Sequence, residues 1–244
     1  MTRFHFVAGL PKSGARQFTK LLGQNPKFCV SSDSPAERLV DAVCNGADTS
    51  GQPFSDIDAR THAALLRSTL DAAHHARGID AVVVDNNPKW LSHITTLGAI
   101  FPLSRFVILV REPERIAAEI AEDAGEAQSP TSLMSLTGEI GRPILQLQSA
   151  LDGPAAARML LIDYDRMLQD AEQVFQATYS FLREPMFKHD FRTLAGTAKA
   201  AVMPAAKQAR RFWLPGGQAA ARSQIPAQPI WRRNQSSAAT MLLS

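Results

Sequence analysis

The stretch Phe4-His5-Phe6-Val7-Ala8-Gly9-Leu10-Pro11-Lys12-Ser13-Gly14 decides how the rest of this chain is read. A short, nearly continuous apolar run ends in a bend with two glycines, and helix-forming residues follow at once. Glycine lets the backbone turn sharply and approach a ligand closely. The first turn of a helix offers backbone N–H groups and a partial positive charge. Together they form an anion site, and Lys12 adds a full charge. The spacing is not that of a Walker A loop, which needs Gly-Lys-Ser/Thr after four intervening residues. Here the lysine lies three residues after Gly9 and precedes Ser13-Gly14.

Three further runs resemble the first in character: Ala81–Asp85, Arg105–Arg111 and Met159–Asp163. Their continuous rather than alternating apolarity predicts strands covered on both faces, as in a parallel sheet. Helical patterns lie between and beside them, at Arg16–Leu22, Pro35–Val43, Ile57–Arg77, Trp90–Ile100, Arg115–Ala124, Leu133–Leu151 and Ala171–Leu182. Strands alternating with helices predict an α/β fold, a parallel central sheet flanked by helices and joined by right-handed crossovers.

Length and charge set the bounds. The chain has 244 residues, enough for one large domain with a tail. From Phe191 to Ser244 there is no Asp or Glu, but eight Lys and Arg; the remaining 190 residues carry 18 basic and 23 acidic side chains. Prolines and alanines dominate after residue 200. We therefore expect a domain over 1–195 and a basic, Pro/Ala-rich segment over 196–244, irregular or packed on the domain. No apolar run is long enough to span a bilayer, and the run at Phe4–Leu10 is too short for a secretory segment, so a cytoplasmic location is expected. Cys29 and Cys44 form neither a disulfide framework nor a zinc pattern, and His74-His75 has no other ligand types around it, so no metal is expected. The sequence allows a homodimer.

The loop Gly9–Gly14, followed by Leu21-Leu22-Gly23-Gln24-Asn25-Pro26-Lys27-Phe28, resembles the opening of a bacterial branch of the sulfotransferase superfamily. Asp85-Asn86-Asn87-Pro88-Lys89-Trp90 is similar to that branch's second-strand motif. Phe106-Val107-Ile108-Leu109-Val110-Arg111-Glu112-Pro113 is similar to its third-strand motif, and Leu161–Asp165, Phe181–Pro185 and Phe187–Phe191 to its later landmarks. The resemblance spans roughly residues 4–191. It implies a three-layer sandwich like that of the P-loop NTPases. It also implies transfer of a sulfuryl group from 3′-phosphoadenosine 5′-phosphosulfate to a hydroxyl or amine of a small-molecule or glycan acceptor, with no nucleic-acid partner.

The same resemblance implies the site. Pro11, Lys12, Ser13, Gly14, Ala15, Arg16 and Gln17 would cradle the 5′-phosphate, largely through main-chain N–H groups of residues 13–17. Lys12 would stabilise the leaving phosphate, and the planar fork of Arg111 would hold the 3′-phosphate. Glu37, at an expected helix start after Ser34-Pro35, is the first choice of general base, with Asp33, Asp85 and His93 as alternatives. Arg210 and Arg211 of the basic tail would cover the nucleotide.

Several positions depart from the family's pattern. Ala15 and Arg16 replace small hydroxylated residues, Asn86 replaces a lysine, and Glu119 stands where a serine would meet the 3′-phosphate. A carboxylate about 4 Å from a phosphate charge costs on the order of 4 kcal/mol at an effective dielectric near 20. Either the helix turns Glu119 away, with Arg115 one turn earlier placed to pair with it, or the donor is gripped differently. The departures also admit a catalytically degenerate nucleotide-binding or interaction protein. A phosphoryl transferase would need a magnesium ligand beside a loop of a different spacing.

Overall fold

A computed structural model of the chain describes residues 3–32, 34–45, 58–74, 81–124, 129–192 and 194. Asp33, the boundary expected near 195 and the basic segment with Arg210 and Arg211 lie outside the described residues.

Five strands form one parallel sheet in the order β2-β3-β1-β4-β5. They are β1 (Arg3–Gly9), β2 (Phe28–Ser32), β3 (Val82–Asn86), β4 (Phe106–Val110) and β5 (Met159–Asp163). The helices are α1 (Ala15–Leu22), α2 (Ala36–Asn45), α3 (Ala59–Ala73), α4 (Ile94–Ile100), α5 (Pro113–Ala124), α6 (Pro130–Leu133), α7 (Gly141–Leu151), α8 (Tyr164–Gln169) and α9 (Ala171–Leu182). Among the described residues, no helix is long and apolar enough to cross a membrane.

Alternating side chains of each strand enter one of two cores. Phe4, Phe6 and Ala8 join Val83, Phe106 and Ile108 with Leu66, Trp90, Leu97, Ile116 and Ile144 on one face. Val7, Val84, Val107 and Leu109 meet Phe18, Leu22, Met167 and Phe175 on the other. Burial on both faces is why the strands read as unbroken apolar runs. Each fully buried side chain of this size contributes roughly 1.5–3 kcal/mol.

Three expectations need correction. Strand β2 was not expected. It is an edge strand paired only with β3, and its residues Phe28-Cys29-Val30-Ser31-Ser32 grow more exposed along its length, so its apolar signal fades. The helix expected over Trp90–Ile100 is a 3₁₀ turn, Pro88–Ser92, followed by α4. Pro88 and the Asn87 side chain, which accepts from the Lys89 N–H at 3.0 Å, start the tighter turn first. The helix expected over Leu133–Leu151 is interrupted. The Gly138 N–H donates to the Ser135 carbonyl and the Ile140 N–H to the Leu133 carbonyl, closing a turn between α6 and α7.

Parallel order with β1 at the centre brings the ends of β1, β3 and β4 to one edge. The first loop, the Asp85 region and Arg111 all emerge there.

Candidate functional site

The loop after β1 has the expected build. The Leu10 N–H continues the ladder to the Leu109 carbonyl at 3.0 Å, and helix α1 begins at Ala15. Two residues take left-handed backbone, Lys12 at φ 55° and Gly14 at φ 77°. A Cβ on Gly14 would lie 2.3 Å from the Tyr164 ring, so both the dihedral and the space demand glycine. The Ser13 N–H and hydroxyl both donate to the Leu10 carbonyl, at 3.3 and 2.6 Å, so this side chain braces the bend from inside. No side chain caps α1, and its first turn holds no acidic residue. Its positive end therefore faces the loop without a built-in counter-charge from its own turn.

Arg111 follows β4 and joins the two strand ends. Its Nη1 donates to the Lys12 carbonyl at 3.0 Å, and its guanidinium lies 4.8 Å over the Tyr164 ring. The Tyr164 hydroxyl donates to Gln17 Oε1 at 3.2 Å, which ties α8 to α1. Burial pushes the Tyr164 phenol up from its ordinary value. The Arg111 Nε is buried and without a hydrogen-bond partner. Sequence reasoning assigned Tyr164 no role, though it follows β5 directly and so had to emerge at this same edge.

Helix α5 reaches back over both cations. The Glu119 carboxylate pairs with Arg111 Nη1, and the Asp123 carboxylate pairs with Lys12 Nζ. The Asp123 hydrogen bond holds the Lys12 ammonium above its ordinary pKa. Of the two alternatives raised for Glu119, the helix does not turn it away. Glu119 is turned toward Arg111, and Arg115 does not pair with it. Arg115 instead meets Asp165 at 2.7 Å and Glu112 at 3.7 Å. The reason is competition: Arg115 and Glu119 share a helix face, but β5–α8 presents Asp165 to the first turn of α5, and Arg111 takes the Glu119 carboxylate.

A second cluster lies at the ends of β2 and β3. Glu37 in α2 is buried, with Lys89 Nζ 3.7 Å from its carboxylate. His93 Nε2 lies 3.3 Å from Asp41 Oδ1, without hydrogen-bond geometry. Ligand-type atoms of Glu37, Asp41 and His93 fall within 4.8 Å of one another. They are the described residues whose types suit a cation, but the Lys89 ammonium beside Glu37 would oppose one. Thus Pro11–Gln17, Arg111 and Glu119 come together around one loop, while Glu37 and His93 share a neighbouring cluster. Asp85, raised as an alternative base, is fully buried and accepts from Ser34 (2.6 Å), His74 Nε2 (2.8 Å) and Trp90 Nε1 (2.9 Å). A carboxylate so saturated serves architecture. The carbonyl oxygen of the Asn86 side chain is buried without a partner.

Comparison with known proteins agrees with this fold. No match was found among curated proteins. Similar solved structures include the sulfotransferase domain from the curacin biosynthetic pathway, at 16% identity and a TM-score of 0.52, covering 77% of this chain and 76% of that one. The sulfotransferase domain of the Synechococcus PCC 7002 olefin synthase is similar at 16% identity and a TM-score of 0.52, covering 85% and 91%. A sulfotransferase from Alicyclobacillus acidocaldarius is similar at 15% identity and a TM-score of 0.52, covering 82% and 90%. Likeness at this identity is one of fold: the P-loop NTPase-like α/β sandwich that sulfotransferases share. Residues 5–188 match the sulfotransferase family as a sequence pattern, and over that span the chain belongs to the sulfotransferase family.

Proposed function

We propose that the protein transfers a sulfuryl group from 3′-phosphoadenosine 5′-phosphosulfate to a hydroxyl or amine of a small-molecule or glycan acceptor. The observation that carries this reading is the joint between Arg111 and the first loop. The guanidinium that follows β4 binds the Lys12 carbonyl, and that same bend carries the Lys12 ammonium and leads into α1, so two cations and a helix start are available to separate anions.

In this reading residues 11–17 hold the 5′-phosphate and Arg111 the 3′-phosphate. The acceptor oxygen or nitrogen attacks sulfur in line. The bond from sulfur to the 5′-phosphate oxygen breaks, and adenosine 3′,5′-bisphosphate departs with its new charge facing Lys12. The acceptor proton goes to Glu37, a buried carboxylate at the adjoining strand ends. We assign Arg210 and Arg211 to the nucleotide as well, and take 196–244 as a basic segment beyond a domain of 1–195. The free thiols of Cys29 and Cys44 suit a reducing compartment, so we assign the reaction to the cytoplasm.

The test is transfer of labelled sulfate from the donor to a panel of alcohols, phenols, amines and glycans. Glu37→Gln is expected to lower kcat about 10²–10⁴-fold with little change in donor affinity. Unchanged turnover would remove Glu37 from the role.

A second reading, nucleotide binding without transfer, is favoured by one observation: a carboxylate already sits on each anchor. Binding of adenosine 3′,5′-bisphosphate with no transfer to any acceptor of the panel would select it.

A further inference from the structure

Two carboxylates of one helix take up the two anchor cations of the candidate donor site, Lys12 and Arg111. Glu119 and Asp123 lie four residues apart on α5, so they share a face with their Cβ atoms about 5–6 Å apart. One reaches Arg111, the other Lys12. The members of each pair differ in freedom. The Arg111 side chain is 9% exposed and is held by the Lys12 carbonyl and the Tyr164 ring. The Glu119 side chain is 39% exposed and that of Asp123 is 63% exposed, against 34% for Lys12. The carboxylates stand on the solvent side of their cations. A turn about χ1 returns them to water, whereas Arg111 would have to leave a packed position.

We infer that Glu119 and Asp123 are specificity-determining residues that act as internal anions: donor binding exchanges each carboxylate for one phosphate, Glu119 for the 3′-phosphate and Asp123 for the 5′-phosphate. This rests on the donor-site reading above. Nucleotide affinity is then set by a difference, the cation's preference for phosphate over its resident carboxylate. The two exchanges are separable by ligand. Adenosine 3′,5′-bisphosphate makes both, while adenosine 5′-monophosphate makes only the one at the loop. Glu119 therefore weakens binding chiefly of nucleotides that carry a 3′-phosphate, because its direct pair is with Arg111 and it acts on Lys12 only through space, and Asp123 weakens binding of both kinds. The arrangement also pairs both anchor cations before a nucleotide arrives, so a stray anion must displace a carboxylate to reach either.

The experiment is calorimetric titration of both nucleotides into the full-length protein and three variants, Glu119→Gln, Asp123→Asn and Glu122→Gln. Glu122 is exposed on the same helix and serves as a control for net charge. Glu119→Gln is expected to tighten bisphosphate binding about tenfold and to leave monophosphate binding within about twofold. Asp123→Asn is expected to tighten both, and Glu122→Gln neither. Glu119→Ser, a shorter replacement, gives the same direction as Glu119→Gln and guards against a local effect of the amide. If the wild-type protein binds the bisphosphate and none of the replacements at 119 or 123 changes that affinity, the exchange is overturned while the donor-site reading stands. Equal tightening by Glu122→Gln also overturns it, because the effect is then one of overall charge. If no protein, variants included, binds either nucleotide, the donor-site reading falls and the exchange falls with it.

Discussion

Asp85 in β3 and Arg111 after β4 lie on either side of β1, each a buried charged group, and they are satisfied in opposite ways. Asp85 accepts from a serine, a histidine and a tryptophan, which come from the segment before α2, the end of α3 and the 3₁₀ turn. Those donors are themselves buried. Arg111 is held by a backbone carbonyl and an aromatic face, and its only ion-pair partner among the described residues is a half-exposed carboxylate. Its Nε has no acceptor. A buried charge with every bond made by fixed neighbours locks elements together. One left with a replaceable partner is suited to receiving a ligand. The β3 end of the sheet is thus built to stay, and the β1–β4 end to exchange.

The largest effect that separates the two ends is on stability. Asp85→Ala leaves Ser34, His74 and Trp90 with buried donors and no acceptor, and it is expected to cost about 3–5 kcal/mol in urea unfolding. A loss below about 1 kcal/mol would mean that the hub does not hold α2, α3 and the 3₁₀ turn in place. Lys12→Ala has the opposite profile. Its pair with Asp123 is largely exposed, so stability is expected to change by less than about 1 kcal/mol. Sulfuryl transfer is expected to fall about 10²–10³-fold, as when one stabilising donor to a developing charge is removed. If Lys12→Ala unfolds the protein and spares transfer, the comparison is reversed.

A smaller effect probes the far end of β1. His5 is buried, its Nδ1 accepts the Arg105 N–H at 3.2 Å, and burial with the cations Arg105 and Arg3 pushes it down to about 4. The native protein keeps this ring neutral where the unfolded chain, titrating near 6.5, takes up a proton. Stability from this group is complete above pH 6.5 and is lost as pH falls from there to about 4, by about 3 kcal/mol in all. Unfolding curves across that range should show the decline, and His5→Gln should flatten it. An equal decline in the variant would assign the acid sensitivity elsewhere.

Much of this was legible in the chain itself, for reasons that also explain what was not. β1, β3, β4 and β5 are covered on both faces, so each appears as an apolar run. β2 has one neighbour and a Cys-Ser-rich end, and it carries no such run. The loop of residues 9–14 was legible because its glycines and lysine act locally, through backbone shape and the start of one helix. Arg111 was legible as the charge that ends an apolar strand. Asp123 was not: its pair with Lys12 joins residues 111 positions apart, and nothing local marks an exposed aspartate near a helix end as a partner. Glu119 was noticed as an adverse charge, but its direction depends on the phase of α5 against the sheet. The Asp85 hub was likewise hidden, because its donors Ser34, His74 and Trp90 converge only once the crossovers are folded.

The most direct measurement is a crystal structure with adenosine 3′,5′-bisphosphate bound. The account predicts the 5′-phosphate against residues 11–17, the 3′-phosphate on Arg111, and the Glu119 and Asp123 carboxylates swung away into solvent. A nucleotide bound elsewhere, or one bound with both ion pairs intact, would contradict it.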